Sequence, residues 1–522
     1  MKKLIFSLIF VISVAVSLFY GYNKSGFHED EYYTYFSSNR SIGLYQPDRQ
    51  WQDRQTILDE FAVKKGEGFN YGLVKLVQSW DVHPPFYYFV FHTLCSFVPG
   101  VFTKWTGIIT NLIAFAIAWL FMCLLMERLK LPLVVEVLTL VFWGLNPQTV
   151  SCNILIRMYA WLGAAILACA YFHVRLLQEY DNNGLEIKDY ILKSLVPIMV
   201  TSYIGFLIQY FYIFFFVSIG IAVTAWIVLV RKDIRNGIIY VLSCGLSLGL
   251  AVITYPSSLR HMFGGYRGTG ASGSFFDLAN TGMRLSFFVG LFNDFVFAGA
   301  LILPIFMIFF GVLLGITSRD SKKRKGELPR PEVVAVIVGA IGYFLLTSKT
   351  ALLVGSASNR YEMPIYGLLI LLIFMDGYYV LRRMGNPVLV YMFVAVAMAI
   401  LLKGHVYDRN VLFLYPEDKE KIAYATENQD EVAVVMFNPA TPHNVWRLTD
   451  ELLVYPKVFY MDEENLDSIV EPELTSADKI ILYVADDDLK QEAMANLFES
   501  CPGLGVVKTV ATEDMWTTYE VN

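Results

Sequence analysis

The first cluster of chemistry-bearing residues is Phe27-His28-Glu29-Asp30-Glu31-Tyr32-Tyr33, which follows a charge-free apolar run near the amino terminus. Three consecutive acids beside such a run are costly to bury, so they face water or a partner. A carboxylate there can serve as a general base or a metal ligand at a membrane surface. The plainer reading is a solvated helix start, because acids favour amino-terminal turns. The same loop closes on Trp80-Asp81-Val82-His83-Pro84-Pro85-Phe86-Tyr87-Tyr88. Asp81 can cap a following helix, and the prolines suit its first turn, where a missing N–H costs nothing. That account leaves His83 over, and an imidazole there can hydrogen-bond or pair with a phosphate. Arg157-Met158-Tyr159 and Ser358-Asn359-Arg360-Tyr361-Glu362-Met363-Pro364 each begin an apolar run. One such Arg can simply snorkel to headgroups, and Tyr belongs in interfacial belts. Two on the side of the acidic loop also make an anion cradle.

The elements that must position these residues are membrane helices. The chain has 522 residues, is 56% hydrophobic and has a mean hydropathy of +0.48. Runs of about 18 or more nearly charge-free residues read as spans. The clearest are 107–126, 154–172, 211–230, 237–255, 287–316 and 361–381. Shorter candidates are 131–145, 194–208, 333–346 and 388–402. Lys2-Lys3 followed by apolar Leu4–Tyr20 resembles a secretory signal, but its small-x-small pattern lies inside the run, so it reads as an uncleaved first span. The six cysteines form no CxxC pair and suggest neither a disulfide framework nor a thiolate metal site.

Basic residues on short loops mark the cytoplasmic side. They fall at Lys2-Lys3, Arg128–Lys130, His173–Lys193, Arg231–Arg235, Arg319–Arg330 and Arg382-Arg383. Phe86–Val98 is apolar but too short to cross, and treating it as an interfacial helix puts all these loops inside. That gives about eleven spans, an inside amino terminus and an outside carboxy terminus. The motifs then lie outside, and so does the Gly- and Ser-rich loop Pro256–Asn280, which reads as a mobile lid or linker. From His405 onward the chain carries about 24 acidic and about 8 basic residues, roughly -16 net. It alternates strand-like runs (432–437, 457–460, 479–484, 505–510, 516–521) with helix-like ones (443–455, 488–500). The expectation is a polytopic α-helical membrane domain, 1–404, and a small extracytoplasmic α/β domain, 405–522.

Asp30-Glu31 after a first span, Asp81-Val82-His83-Pro84-Pro85, Arg157-Met158-Tyr159 and Arg360-Tyr361-Glu362-Met363-Pro364 together resemble the bacterial relatives of the dolichyl-phosphate-mannose protein mannosyltransferases. These are C-type membrane glycosyltransferases with lipid-phosphate sugar donors. The resemblance covers roughly residues 1–400 and leaves out the tail. It implies inverting transfer of a sugar from a polyprenyl-phosphate carrier, on the outer face, to a lipid, glycan or protein acceptor. Asp30 would then be the base and Glu31 would help to position it or a metal. His83, Arg157 and Arg360 would stabilise the leaving phosphate, with Asp81, Tyr159 and Tyr361 beside them. His28 and Glu29 precede the acidic pair and leave open which acid is the base. Relatives differ in metal dependence; Asp81 and His83 could ligate a divalent metal with Asp30 if the loop folds back. Membrane lipids are expected partners and nucleic acid is not. A glycolipid transporter or flippase, the alternative, calls for mid-membrane charges or repeated broken helices. A binding protein with an active tail is the third reading.

Overall fold

The structure is a computed structural model and describes residues 1–40, 47–183, 186–317, 330–462, 471–485, 494–495, 497–512 and 515–522. Among these residues nine helices are long and apolar enough to cross a membrane: 2–23 (α1), 104–128, 159–180, 187–208, 212–230, 234–254, 331–350, 363–383 and 387–406. Helices are what such sequences form in lipid, because every backbone donor and acceptor is then satisfied within the segment. A tenth candidate is a bent pair, Leu133–Gly144 and Pro147–Ile154, meeting at 51°. Asn146 caps the second member and Pro147 fills its first position. The whole of Pro147–Ile154 is buried, so this non-continuous backbone is enclosed in protein.

The run expected to be one span over 287–316 is interrupted. Thr281–Leu291 passes into a π-helical turn, Phe292–Val296, and Ala298 and Gly299 then take φ of 52° and 77°. Left-handed residues stop a helix, and hydropathy alone does not register them. Ile302–Thr317 restarts it; its 16 residues rise about 24 Å. It is shorter than the nine, so the described residues hold nine candidate spans, or ten with the bent pair, against the eleven expected. Phe86–Ser96 is an 11-residue helix about 16 Å long, half of a bilayer core. It starts after Pro84-Pro85 rather than with them, and Asp81 stands five residues upstream of its first residue.

The Gly- and Ser-rich loop 256–280 is not a bare linker. It forms the helices Ser257–Phe263 and Tyr266–Phe276 and a short turn, Leu278–Asn280. Tertiary bonds override the weak helix propensity of its glycines. Arg260 donates to the Ser79 carbonyl, His261 Nε2 lies 3.2 Å from the same oxygen, and Ser274 Oγ donates to the Lys349 carbonyl at 2.8 Å.

The chain divides into two units. The first comprises Met1–Gly21, Gln78–Val90 and Trp105–Leu412. In it, Lys2 pairs with the buried Glu136 at 2.7 Å, and Asn153 donates to Ser17 at 3.1 Å, so α1 is a packed member of the bundle. Arg128, Lys130 and Arg330, with Glu127, Glu179 and Glu332, line one cavity of about 590 Å³. Basic residues of the 128–130 and 330 loops therefore line one cavity of the bundle. The basic run Ser321–Lys325 lies outside the described residues.

The second unit comprises Tyr22–Val77, Phe91–Lys104 and Phe413–Asn522. Its centre is a six-stranded sheet of order β1-β3-β2-β4-β6-β5, with β1 Trp51–Asp53, β2 Val432–Met436, β3 Lys457–Met461, β4 Ile480–Ala485, β5 Val507–Thr512 and β6 Trp516–Val521. β2, β3 and β4 run parallel, while β1, β5 and β6 are antiparallel to their neighbours. The five strands expected in the tail are present, and the first loop adds the sixth. Of the helix-like runs, 443–455 forms a 3-10 turn, Pro442–Leu448, and one α turn, Thr449–Leu452. Residues 486–493, which include the start of the other run, lie outside the described residues.

Candidate functional site

Asp30 and Glu31 open the helix Glu29–Asn39 (α2), in the second unit. His28 is its N-cap: Nδ1 accepts the Asp30 N–H at 3.0 Å, so that nitrogen carries no proton. The His28 N–H donates to Glu31 Oε2 at 2.5 Å, completing a capping box. Glu31 is fully buried, and the same carboxylate receives Lys24 Nζ at 2.9 Å. Lys24 also donates to the Phe413 carbonyl at 2.7 Å. Burial holds the Lys24 amine below its ordinary range, and the Glu31 charge opposes that drift. Asp30 differs: 24% of its side chain is exposed, and Oδ2 stands 3.7 Å from His28 Nδ1. Its carboxylate lies in the first turn of α2, where the helix dipole favours negative charge. Glu31 is thus buried in an ion pair, and Asp30 is part-exposed beside His28.

The remaining candidates lie in the first unit. Arg157 sits on the link between Pro147–Ile154 and Tyr159–Asn183, where its own N–H turns back on the Leu155 carbonyl at 2.7 Å. The residue is 2% exposed. Nη2 donates to His83 Nε2 at 2.7 Å and Nη1 to the Tyr88 hydroxyl at 3.2 Å. Arginine only donates, so His83 Nε2 is the acceptor here and its proton belongs on Nδ1. Arg360 lies on a 3-10 turn, Ala357–Tyr361, that leads into the helix Met363–Arg383. It is 5% exposed, and its guanidinium stacks 5.1 Å from the Tyr361 ring. The Tyr159 and Tyr361 rings meet edge-on at 5.8 Å, which joins the Arg157 segment to the Arg360 segment.

The Arg360 turn is pinned from both sides. Asn359 Nδ2 donates to Gln148 Oε1 at 2.5 Å, and Gln148 donates to the Asn410 carbonyl at 2.7 Å. The Tyr343 hydroxyl donates to the Tyr361 carbonyl at 2.8 Å. Glu362 is fully buried and accepts from Ser348 Oγ at 3.1 Å; its other oxygen has no hydrogen-bond partner among the described residues. Lys24, Gln148 and Ser348 do not stand out as site residues in the sequence, and Glu362 does so only as part of its motif. Lys24 carries a readable signal, a lone cation between an apolar span and three acids. Gln148 carries none, since its partners lie more than 200 residues away.

The structure brings His83 and Arg157 together and links Tyr159 to Tyr361. Asp81 belongs to the same unit, and Asp30 and Glu31 to the other. Among the described residues no group of three or more His, Cys, Asp or Glu side chains is placed to hold a metal ion.

No family model matches the chain, and no curated protein matches it. Solved structures do resemble it. ArnT from Cupriavidus metallidurans, bound to undecaprenyl phosphate, is 13% identical, with 98% of this chain and 97% of that one covered and a TM-score of 0.43. The oligosaccharyltransferase of Archaeoglobus fulgidus in its apo form is 14% identical, covers 98% and 69%, and scores 0.49. The same archaeal enzyme, AglB, with an inhibitory peptide and a dolichol-phosphate, is 12% identical, covers 99% and 74%, and scores 0.48.

Proposed function

We propose that the protein is an inverting glycosyltransferase that moves a sugar from a polyprenyl-phosphate carrier to an acceptor hydroxyl on the outer face of the membrane. The observation that carries this reading is the buried Arg157, in contact with His83 and Tyr88 and joined through Tyr159 to the Tyr361-Arg360 turn. Two guanidiniums and an imidazole set on breaks between helices suit a phosphate: their donors are fixed before the ligand arrives. Asp30, part-exposed and next to a buried ion pair that fixes its backbone, suits the base.

The step is a single displacement. The acceptor oxygen attacks the anomeric carbon from the face opposite the phosphate, its proton passes to Asp30, and the bond from that carbon to the phosphate oxygen breaks. The electron pair leaves with the polyprenyl phosphate, whose charge Arg157 and Arg360 offset, with the His83 Nδ1–H as a further donor. One displacement inverts the anomeric centre. Glu31 plays another part, holding Lys24 and the His28 N–H and so setting the first turn of α2. The charge rule supports the outer location, with basic residues of the 128–130 and 330 loops lining one cavity of the bundle. The helix 363–383 begins at the Arg360 motif and ends at Arg382-Arg383.

The bent pair at 133–154 and the break at Ala298-Gly299 give the transporter reading two broken helices; a transporter of that design needs them at corresponding positions of a repeat, and the sequence offers no clear repeat. Reconstituted protein incubated with a radiolabelled polyprenyl-phosphate sugar and an acceptor extract distinguishes the two. Transfer that falls with Arg157→Ala supports the proposal. Labelled lipid crossing the bilayer with no transfer product sinks it.

A further inference from the structure

The carboxy-terminal tail falls outside the family resemblance, and the proposed reaction gives it no role. Yet it touches the Asp30 helix at its start and along its side. Arg447 donates to the carbonyl of Phe27, the residue before the N-cap, and its guanidinium stacks 5.3 Å from the Tyr415 ring. Trp446 meets Tyr33 and Phe36 of α2, each at 4.8 Å between ring centres, and Phe61 at 5.9 Å. His443 meets Tyr33 at 5.6 Å. All three tail residues come from one 3-10 turn, Pro442–Leu448.

A second segment closes on the same strand of chain from another direction. The Ser25 N–H donates to the Leu414 carbonyl at 2.8 Å, and Lys24 donates to that of Phe413. The Phe413 ring packs edge-on to His28 at 5.6 Å, and Lys24 Nζ lies 5.4 Å from the Tyr415 ring. A Cβ on Gly26 would stand 1.7 Å from Asp418 Oδ2, so only glycine lets the two segments approach this closely. Phe413 and Tyr415 hold positive φ, 65° and 49°. Side-chain-bearing residues hold that strained conformation only where their surroundings impose it, and such strain collects at functional sites.

Building on the glycosyltransferase reading, we infer that the tail is the mount of the catalytic helix, and that Arg447 is a positioning residue for Asp30. Arg447 touches neither sugar nor phosphate in this scheme. It fixes the Phe27 carbonyl, and through it the N-cap and the carboxylate two residues further on. The neighbouring aromatic contacts set the roll of α2 about its axis, which decides where Asp30 points.

The test uses the full chain in detergent or vesicles, as wild type, Arg447→Ala, Arg447→Lys and Trp446→Leu. In Arg447→Ala, hydrogen exchange at residues 28–35 is expected to speed up on the order of tenfold while β2 and β4 keep their protection. The kcat of transfer should fall on the order of 10²-fold, as for a base moved by about an ångström. KM for the lipid donor should stay within about twofold, because uniform binding is untouched. Arg447→Lys, which keeps a donor for the carbonyl, should recover much of both. Unchanged exchange at 28–35 overturns the inference. So does faster exchange through β2 and β4 as well, since Arg447 would then be holding the sheet. Should Arg447→Ala fail to fold, Trp446→Leu is read by the same two criteria. If the wild type transfers no sugar, the functional reading falls by itself and the exchange measurement decides the mounting role.

Discussion

Replacing Glu31 by Gln leaves the Lys24 ammonium buried beside a neutral amide, with the Phe413 carbonyl still accepting from it. Breaking one side of a buried ion pair typically costs about 3–5 kcal/mol, so Glu31→Gln is expected to lower the unfolding midpoint markedly. Asp30→Asn removes a carboxylate that is part-exposed and not in an ion pair with Lys24, so it should unfold like wild type. Its kcat should nevertheless fall by roughly 10²–10⁴, the usual worth of a general base. Thermal melts and transfer rates on the two variants separate these outcomes; the opposite pattern would exchange their roles. The sequence offers Asp30 and Glu31 as an undivided pair, because adjacent residues on a helix point about 100° apart and only the packing decides which faces inward. His83 is legible as a residue that capping does not explain. That it meets Arg157, 74 positions later, is not legible. Arg157→Ala is expected to lower kcat by roughly 10²–10³, the cost of removing one fixed donor from a developing charge.

At the scale of elements, the turn Thr449–Leu452 carries two unusual acids. Burial, with Asp418 adding to it, pushes Asp450 up to about 7 against the opposing pull of Arg447, Lys24 and Lys104. Burial pushes Glu451 up to about 8; Asp418 and Asp450 add to this, while Lys421 and Arg447 oppose it. Both folded-state values exceed those of the unfolded chain. The folded state therefore keeps protons that the unfolded state has lost, and stability falls as pH rises from about 4 through about 7–8. The unfolding midpoint is expected to decline across that window, with a shallower slope in Asp450→Asn and Glu451→Gln; a parallel slope would remove these groups from the account. The elements most legible in sequence are the long ones. The apolar runs and strands β2, β4 and β6 declare themselves through period and length. β1, three residues long, is invisible because no periodicity fits into three positions. The break at Ala298-Gly299 is hidden because it is a matter of dihedral angle. The order in 256–280 is hidden because its hydrogen-bond partners, Ser79 and Lys349, are remote in sequence.

On the scale of the whole molecule, the sequence suggests a boundary at His405, where the charge changes sign. The tail sheet instead takes β1 from the first loop, and the unit around it draws on three stretches of chain. A chain truncated after residue 412, which leaves the first unit whole, is thus expected to lose transfer, even though every membrane motif is retained. Polyprenyl-phosphate binding by the truncated chain, followed by retention of labelled lipid, should survive, because His83, Arg157 and Arg360 belong to the other unit. Truncation that spares transfer would make the tail an accessory. Inverting transfer by this protein is read directly in one assay on the intact chain: a polyprenyl-phosphate sugar, labelled in the sugar, is supplied with acceptor, and the anomeric configuration of the product is read by NMR. Transfer with inversion in wild type, lost in Asp30→Asn while lipid binding persists, is the expected result. Retained configuration, or undiminished transfer by Asp30→Asn, would contradict it.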